Sequence, residues 1–439
     1  MQREKAHGLL FRRGRVIDPA QGLDRTGDVL VMDGRIADVQ PQIDLSADRM
    51  SGIEEVDATG RWIVPGLLDM HVHLREPGQE YKENIASGTR AAVAGGYTGV
   101  ACMPNTNPVN DSAAVTRFIL ERARERGACR VYPVGAVSSG LKGENLSEFG
   151  DLVGAGAVAV TDDGKPVANS MLMRRALEYS RIFDIPVISH AEDPLLSHGG
   201  LMNEGPVSGM LGLRGIPRAA EEVMIARDIL LSELTRGRVH IAHVSTAGSV
   251  RLIREAKRRG ISVTAETAPH YFHLTDEVLT GFDTVFKVNP PLRSAEDLRA
   301  IREGLADGTI DAIATDHAPH TVLEKDVEFE FASSGMIGLE SALPLILALV
   351  REEVLTPMEA IAKVTCNPAG ILRLPGGTLR QGTAADLTMI DPDASFTLDA
   401  GSFQSKSRNC PFHGWEVRGK AVMTVVGGRV VFAEGRIMI

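Results

Sequence analysis

A rhythm runs through the middle of this chain and leaves few folds open to it: short apolar runs, each followed by a charged stretch with helical spacing. Eight such runs can be counted, Trp62 to Leu74, Thr98 to Met103, Arg130 to Val137, Ala157 to Thr161, Pro186 to His190, Val239 to Val244, Ser262 to Thr267 and Asp311 to Thr315. Strands buried on both faces read as continuous apolar runs, and parallel strands need helical crossovers between them. The stretches Asp111 to Arg126 and Ser249 to Arg259 carry Arg and Glu on the polar side of such helices. An α/β fold follows, a (β/α)8 barrel, in which catalytic groups sit at the C-terminal ends of the strands.

At 439 residues the chain has room for a smaller companion. Both ends supply short strands and turns: Leu9-Leu10-Phe11, Val29-Leu30-Val31 and Arg35 to Val39 at the start, Ala385 to Ile390, Val417 to Val426 and Arg429 to Phe432 at the finish. The expectation is a small composite β domain from residues 1–64 plus 377–439, with the barrel spanning 65–376.

The polar residues that end the runs are the candidates for chemistry. His71 and His73 are two apart, so strand alternation points both to one face. Alone, such a pair reads equally well as two buried structural histidines. The other strand ends shift the balance: Asp162-Asp163 after the fourth run, His190 after the fifth, His243 after the sixth and Asp316-His317 after the eighth. Imidazole and carboxylate suit zinc, and one carboxylate can bridge two ions. His240 and His243 are an odd number apart, so in a regular strand only one faces inward; His243 lies nearer the edge, and His240 is read as structural. Asp162 and Asp163 diverge by the same rule, which does not say which of them turns inward.

Composition removes other classes. Aromatic residues make up 5% and the net charge is −10, a poor surface for stacking bases or meeting phosphates, so no nucleic-acid partner is expected. No apolar stretch of about 18 residues is present, and Met1 to Arg13 is too charged for a signal-peptide core, so no membrane partner and a cytoplasmic address are expected. Cys102, Cys129, Cys366 and Cys410 form neither a Cys-x-x-Cys pair nor a disulfide framework.

The sequence resembles the amidohydrolase superfamily, and within it the bacterial dihydroorotases that use a bridging aspartate. The resemblance rests on Pro65 to Gly78 with its Asp69-Met70-His71-Val72-His73-Leu74-Arg75 centre, on Met103 to Pro108, on Thr161-Asp162-Asp163-Gly164 and on Ala314 to His320. It implies two zinc ions per subunit, one on His71, His73 and Asp316, a second on His190 and His243, with Asp163 bridging. It also implies substrate contacts from His73, Arg75, Asn105, Asn289 and His320, and from a loop that here reads Ser333-Ser334-Gly335 in place of Pro-Phe-Gly, so that Ser334 lacks the packing of a phenylalanine. A planar guanidinium suits a carboxylate-bearing ring, which an uncharged hydantoin does not require. For Asn105 and Asn289, turn roles beside Pro104 and Pro290 compete.

The implied activity is the reversible interconversion of N-carbamoyl-L-aspartate and (S)-dihydroorotate in pyrimidine biosynthesis. A hydroxide held between two zinc ions attacks the ring amide, and Asp316 serves as the catalytic acid and base. The rival readings are another cyclic amidohydrolase, an allantoinase or dihydropyrimidinase, and a non-catalytic scaffold for aspartate transcarbamoylase. A homodimer and an association with aspartate transcarbamoylase are the partner arrangements the resemblance admits. The charged stretch Glu324 to Phe331 reads as a lid or as a solvated loop.

Overall fold

The structure is a computed structural model that describes residues 8–46, 50 and 52–438, so residues 1–7 of the expected terminal domain lie outside the described residues. Its centre is a ring of eight parallel strands in chain order: β1 (Leu67–Val72), β2 (Tyr97–Cys102), β3 (Arg130–Ala136), β4 (Ala159–Thr161), β5 (Val187–Ser189), β6 (Val239–Ile241), β7 (Val263–Thr267) and β8 (Ala312–Ile313). The ring closes where Val72 bridges His317 in parallel and the His73 N–H donates to the His317 carbonyl at 2.8 Å. Met70, Ala101, Val134, Ala159, Ile188 and Ala312 fill the interior from different strands, which makes the barrel a packed core and leaves its polar mouth at one end.

The crossover helices form for local reasons that are easy to name. In the helix Ala247–Arg258, the Thr246 hydroxyl accepts from the Ser249 N–H at 3.1 Å and closes the first turn, while Lys257 and Arg258 face the negative end of the dipole. Val250, Ile253 and Ala256 recur every three residues and are buried against the barrel.

The two chain ends share one nine-stranded sheet. Its link is the strand Trp62–Pro65, which runs parallel to Gly8–Asp18 and antiparallel to Leu387–Thr397, with Leu387 opposite Pro65 and Ile390 opposite Trp62. Phe11, Val16, Val29, Ile63, Leu387 and Val425 pack as its core. The expected first run, Trp62 to Leu74, is therefore two strands in two sheets. Gly66 is the divide: its N–H donates to the Asp386 carbonyl, and a Cβ there would meet Thr98 Oγ1 at 2.1 Å. No side chain fits at the point where the chain crosses from one sheet to the other.

Candidate active site

Six side chains converge at the C-terminal mouth of the barrel. Asp163 lies among them, with Oδ1 3.4 Å from His71 Nε2, 3.4 Å from His190 Nδ1 and 3.5 Å from His243 Nε2, and with Oδ2 3.4 Å from His73 Nε2. Asp316 joins from β8, its Oδ1 3.2 Å from His73 Nε2 and 3.5 Å from His71 Nε2. Two buried triads result, His71-His73-Asp163 and Asp163-His190-His243, each with ligand atoms close enough to hold one ion and sharing Asp163. His71 Nε2 and Asp163 Oδ1 are buried without a hydrogen-bond partner, a costly state for polar atoms that a cation would relieve. The donor set of imidazoles and carboxylates fits a divalent metal.

Electrostatics agree with that fit. Burial on its own would raise the Asp163 carboxyl, yet the surrounding imidazoles, His71 first, hold it well below the usual carboxylate range. Burial would lower His71, and Asp163 and Asp316 reverse this and hold it well above the ordinary histidine value. Each group serves as the other's counter-charge, a role that a bound cation would take over while leaving the imidazoles neutral.

The ligands are aimed by neighbours. His71 Nδ1 meets Glu266 Oε1 at 2.7 Å, and His73 Nδ1 meets Asn105 Oδ1 at 2.9 Å. Asp69 accepts from the backbone N–H of His71 at 3.1 Å and of Thr315 at 3.2 Å, which ties β1 to the end of β8. Asp162, the companion of Asp163, turns the other way and accepts from the Ser138 N–H at 2.9 Å. Arg75, His243 and Asp316 have positive φ angles of 62°, 34° and 47°, left-handed conformations that side chains other than glycine adopt at a cost.

That backbone corrects one expectation. His240 and His243 both reach the interior: His240 Nε2 lies 3.3 Å from Glu266 Oε2, the carboxylate that also holds His71, and His243 stands at the metal triad. Alternation separates them only within a strand, and β6 ends at Ile241 before His243 turns back. His240 stands outside both metal triads, and from inside the barrel its Nδ1 meets Thr264 Oγ1 at 2.8 Å.

Beside the cluster opens a cavity of about 360 Å³. His73, Arg75, Asn105, Asn289, His320, Ser334 and Gly335 all line it, together with Asp163, His190, His243 and Asp316. Arg75 is 8% exposed, its Nε donates to the Pro319 carbonyl at 3.2 Å, and it makes no ion pair with a carboxylate among the described residues. Burial, with Arg75, Lys82 and Lys325 nearby, pushes His320 down to about 3, so its ring is neutral. Its Nε2 donates to the Ser334 carbonyl at 2.9 Å, which leaves Nδ1 to face Lys82 Nζ at 3.5 Å. Gly335 has φ 143°, and a Cβ there would meet Ala318 Cβ at 2.9 Å. Its own N–H donates to the Lys287 carbonyl and its carbonyl accepts from Lys325 Nζ and Asn409 Nδ2, so both backbone groups are already engaged.

Sequence reading passed over Glu266, Lys287, Lys325 and Asn409. A lone acid inside the apolar run Val263-Thr264-Ala265-Glu266-Thr267 is the signal that could have found the first. The lysines brace the stretch Glu324 to Phe331: Lys287 Nζ donates to the Phe329 and Glu330 carbonyls, and Lys82 Nζ pairs with Glu324 Oε1 at 2.6 Å. None of that stretch lines the cavity; it is pinned to Lys287, which does, and its Phe331 is exposed.

Fold and site together define the class, a barrel of the amidohydrolase kind with His and Asp groups able to bind a metal. A dihydro-orotase-like family profile matches residues 60–249. A protein named dihydroorotase from Syntrophobacter fumaroxidans is 69% identical over 425 residues, 97% of each chain, and one of that name from Geobacter metallireducens is 57% identical over 97% of this chain and 99% of its own. Among solved structures, L-hydantoinase (dihydropyrimidinase) from Arthrobacter aurescens superposes with a TM-score of 0.88 at 26% identity, covering 98% of this chain and 97% of its own. The chain belongs to the dihydroorotase family.

Proposed function

We propose that this site closes N-carbamoyl-L-aspartate to (S)-dihydroorotate and opens it again, as a dihydroorotase of pyrimidine biosynthesis. The observation that carries the substrate is Arg75: a buried guanidinium that forms no ion pair with a carboxylate among the described residues, lining the same cavity as the metal-capable cluster. A ring bearing a carboxylate would pair with it through charge-assisted bonds, whereas a neutral ring would leave it buried and unmatched. The named relatives support the same reading over an allantoinase or hydantoinase activity and over a non-catalytic scaffold.

His71, His73 and Asp316 would hold one zinc and His190 with His243 the second, with Asp163 between them. Such a pair supplies a water whose pKa is lowered to about 7 and polarises the scissile carbonyl. The remaining work belongs to the chain. Against the opposing effect of burial, Asp316 is held below the usual carboxylate range by His71 and His73, a role a bound cation would take over, so its carboxylate can take the proton from the attacking water. It then returns that proton to the ring nitrogen as the amide C–N bond breaks; in the reverse direction the same carboxyl takes the proton from the attacking ureido nitrogen. Asn105 gives its Oδ1 to His73, which turns its NH₂ toward the cavity as a donor for substrate oxygen. His320 and Ser334 close the wall opposite, with Asn289 and Gly335 completing it.

No helix of the described residues is long and apolar enough to cross a membrane. A cytoplasmic address, a homodimer and association with aspartate transcarbamoylase are further readings that family membership supports. So is the division into a composite domain, 1–64 with 377–439, and a barrel, 65–376. The deciding experiment is turnover of carbamoyl aspartate with and without a chelator, followed by a parallel ultraviolet assay of dihydroorotate, hydantoin and allantoin. We expect chelator-sensitive turnover of carbamoyl aspartate, restored by zinc, and, among the three rings, opening of dihydroorotate alone. Faster opening of an uncharged ring would overturn the substrate assignment.

A further inference from the structure

Glu192 lies two residues past His190, at the rim where β5 gives way to a loop, and its side chain is 16% exposed. Its oxygens are divided between partners. Oε1 accepts from Ser197 Oγ at 2.6 Å, and Oε2 accepts from Asn289 Nδ2 at 2.7 Å while standing 3.6 Å from His190 Nε2. Asn289 Oδ1, at the other side of the same amide, is buried without any hydrogen-bond partner. Glu192 and Asn289 both line the cavity.

An amide can present either end, and the two ends ask opposite things of a ligand: the NH₂ seeks an acceptor, the oxygen a donor. A carboxylate only accepts, so it admits the NH₂ end alone. Oδ1 is thereby left as the group with nothing to bind, a buried acceptor awaiting a donor. Both forms of the substrate proposed above offer such donors in their amide and ureido N–H groups. We propose that Glu192 is a positioning residue: it locks the Asn289 amide with its oxygen available to the ligand, so that this part of the site reads an N–H donor. The inference rests on the dihydroorotase reading for the identity of that donor.

The rival role for Glu192 is a brace for its own loop through Ser197, or a support for His190. Three variants separate these, Glu192→Gln, Asn289→Ala and the two combined, each assayed with dihydroorotate at saturating zinc and each analysed for metal per chain. The glutamine can donate as well as accept, so the Asn289 amide loses its single orientation. We expect KM to rise about tenfold in Glu192→Gln, the loss of one well-aligned hydrogen bond, with kcat within about threefold and metal content unchanged. In the combined variant KM should be no higher than in Asn289→Ala alone, because a residue that acts through another adds nothing once that other is gone. Additive losses would overturn the inference, as would an unchanged KM in Glu192→Gln, or a loss that follows missing metal and therefore runs through His190. Ser197→Ala, which removes only the loop contact, should leave KM at its original value; a rise equal to that of Glu192→Gln would favour the brace. Absence of turnover in the unaltered chain would count against the proposed function instead, so the two failures are distinguishable.

Discussion

The floor and the wall of the cavity are built by different means. The floor is the six-residue cluster, whose side chains leave strand ends or the first residues beyond them, and two of which are aimed by other side chains: Glu266 behind His71 and Asn105 behind His73. The wall is Arg75, His320, Ser334 and Gly335, held largely through backbone carbonyls: Pro319 for Arg75, Ser334 for His320, and the Ser333 and Gly335 carbonyls for Lys325. A floor of mutually charged groups is intolerant, because removing one member leaves the others buried without a counter-charge. A wall of loop carbonyls, each making a modest bond, gives up a little at a time.

Four substitutions probe that contrast. Asp316→Asn keeps shape and removes the proton carrier, so turnover in both directions should drop about a thousandfold or more, with the fold retained by circular dichroism; near-normal turnover would remove Asp316 from the chemistry. Arg75→Met should cut kcat/KM for dihydroorotate by about a hundredfold and affect an uncharged cyclic amide far less. Equal losses on both would show that Arg75 does not read the carboxylate. Glu266→Gln leaves the ligands in place but loosens His71, and metal affinity measured by competition with a chelator should fall about 10- to 100-fold. Unchanged affinity would mean that the barrel alone orients His71. Lys325→Met, in the wall, should raise KM only about threefold at constant kcat. A collapse of kcat instead would place the lysine in the floor's company and erase the distinction.

Much of the floor was legible before any coordinates. Each of His71, His73, Asp163, His190, His243 and Asp316 stands at or just past an apolar run, and eight such runs demand a barrel that gathers its strand ends into one rim. The failures are instructive because they share a cause. Alternation separated His240 from His243, but His243 lies beyond β6 at φ 34°, where period-two geometry no longer applies. The run Trp62 to Leu74 looked like one strand because both of its halves are apolar, while Gly66 divides it between two sheets. Glu192 and Glu266 were passed over because neither falls in a ligand pattern that spacing alone would pick out. Only the partner across the barrel, His71 for one and Asn289 for the other, reveals what it does.

The order of apolar and polar residues along this chain determined the barrel, the rim at which polar groups collect and the kinds of side chain available there, because period and burial are local consequences of sequence. The tertiary structure decided which atoms meet. At the site it brought residues 245 positions apart into contact, as in His320 beside Arg75, turned three site residues through left-handed backbone, and set a single carboxylate between Asn289 and His190. Those outcomes depend on the closure of the ring, where distant segments become neighbours and each side chain's partner is chosen by what lies across the barrel.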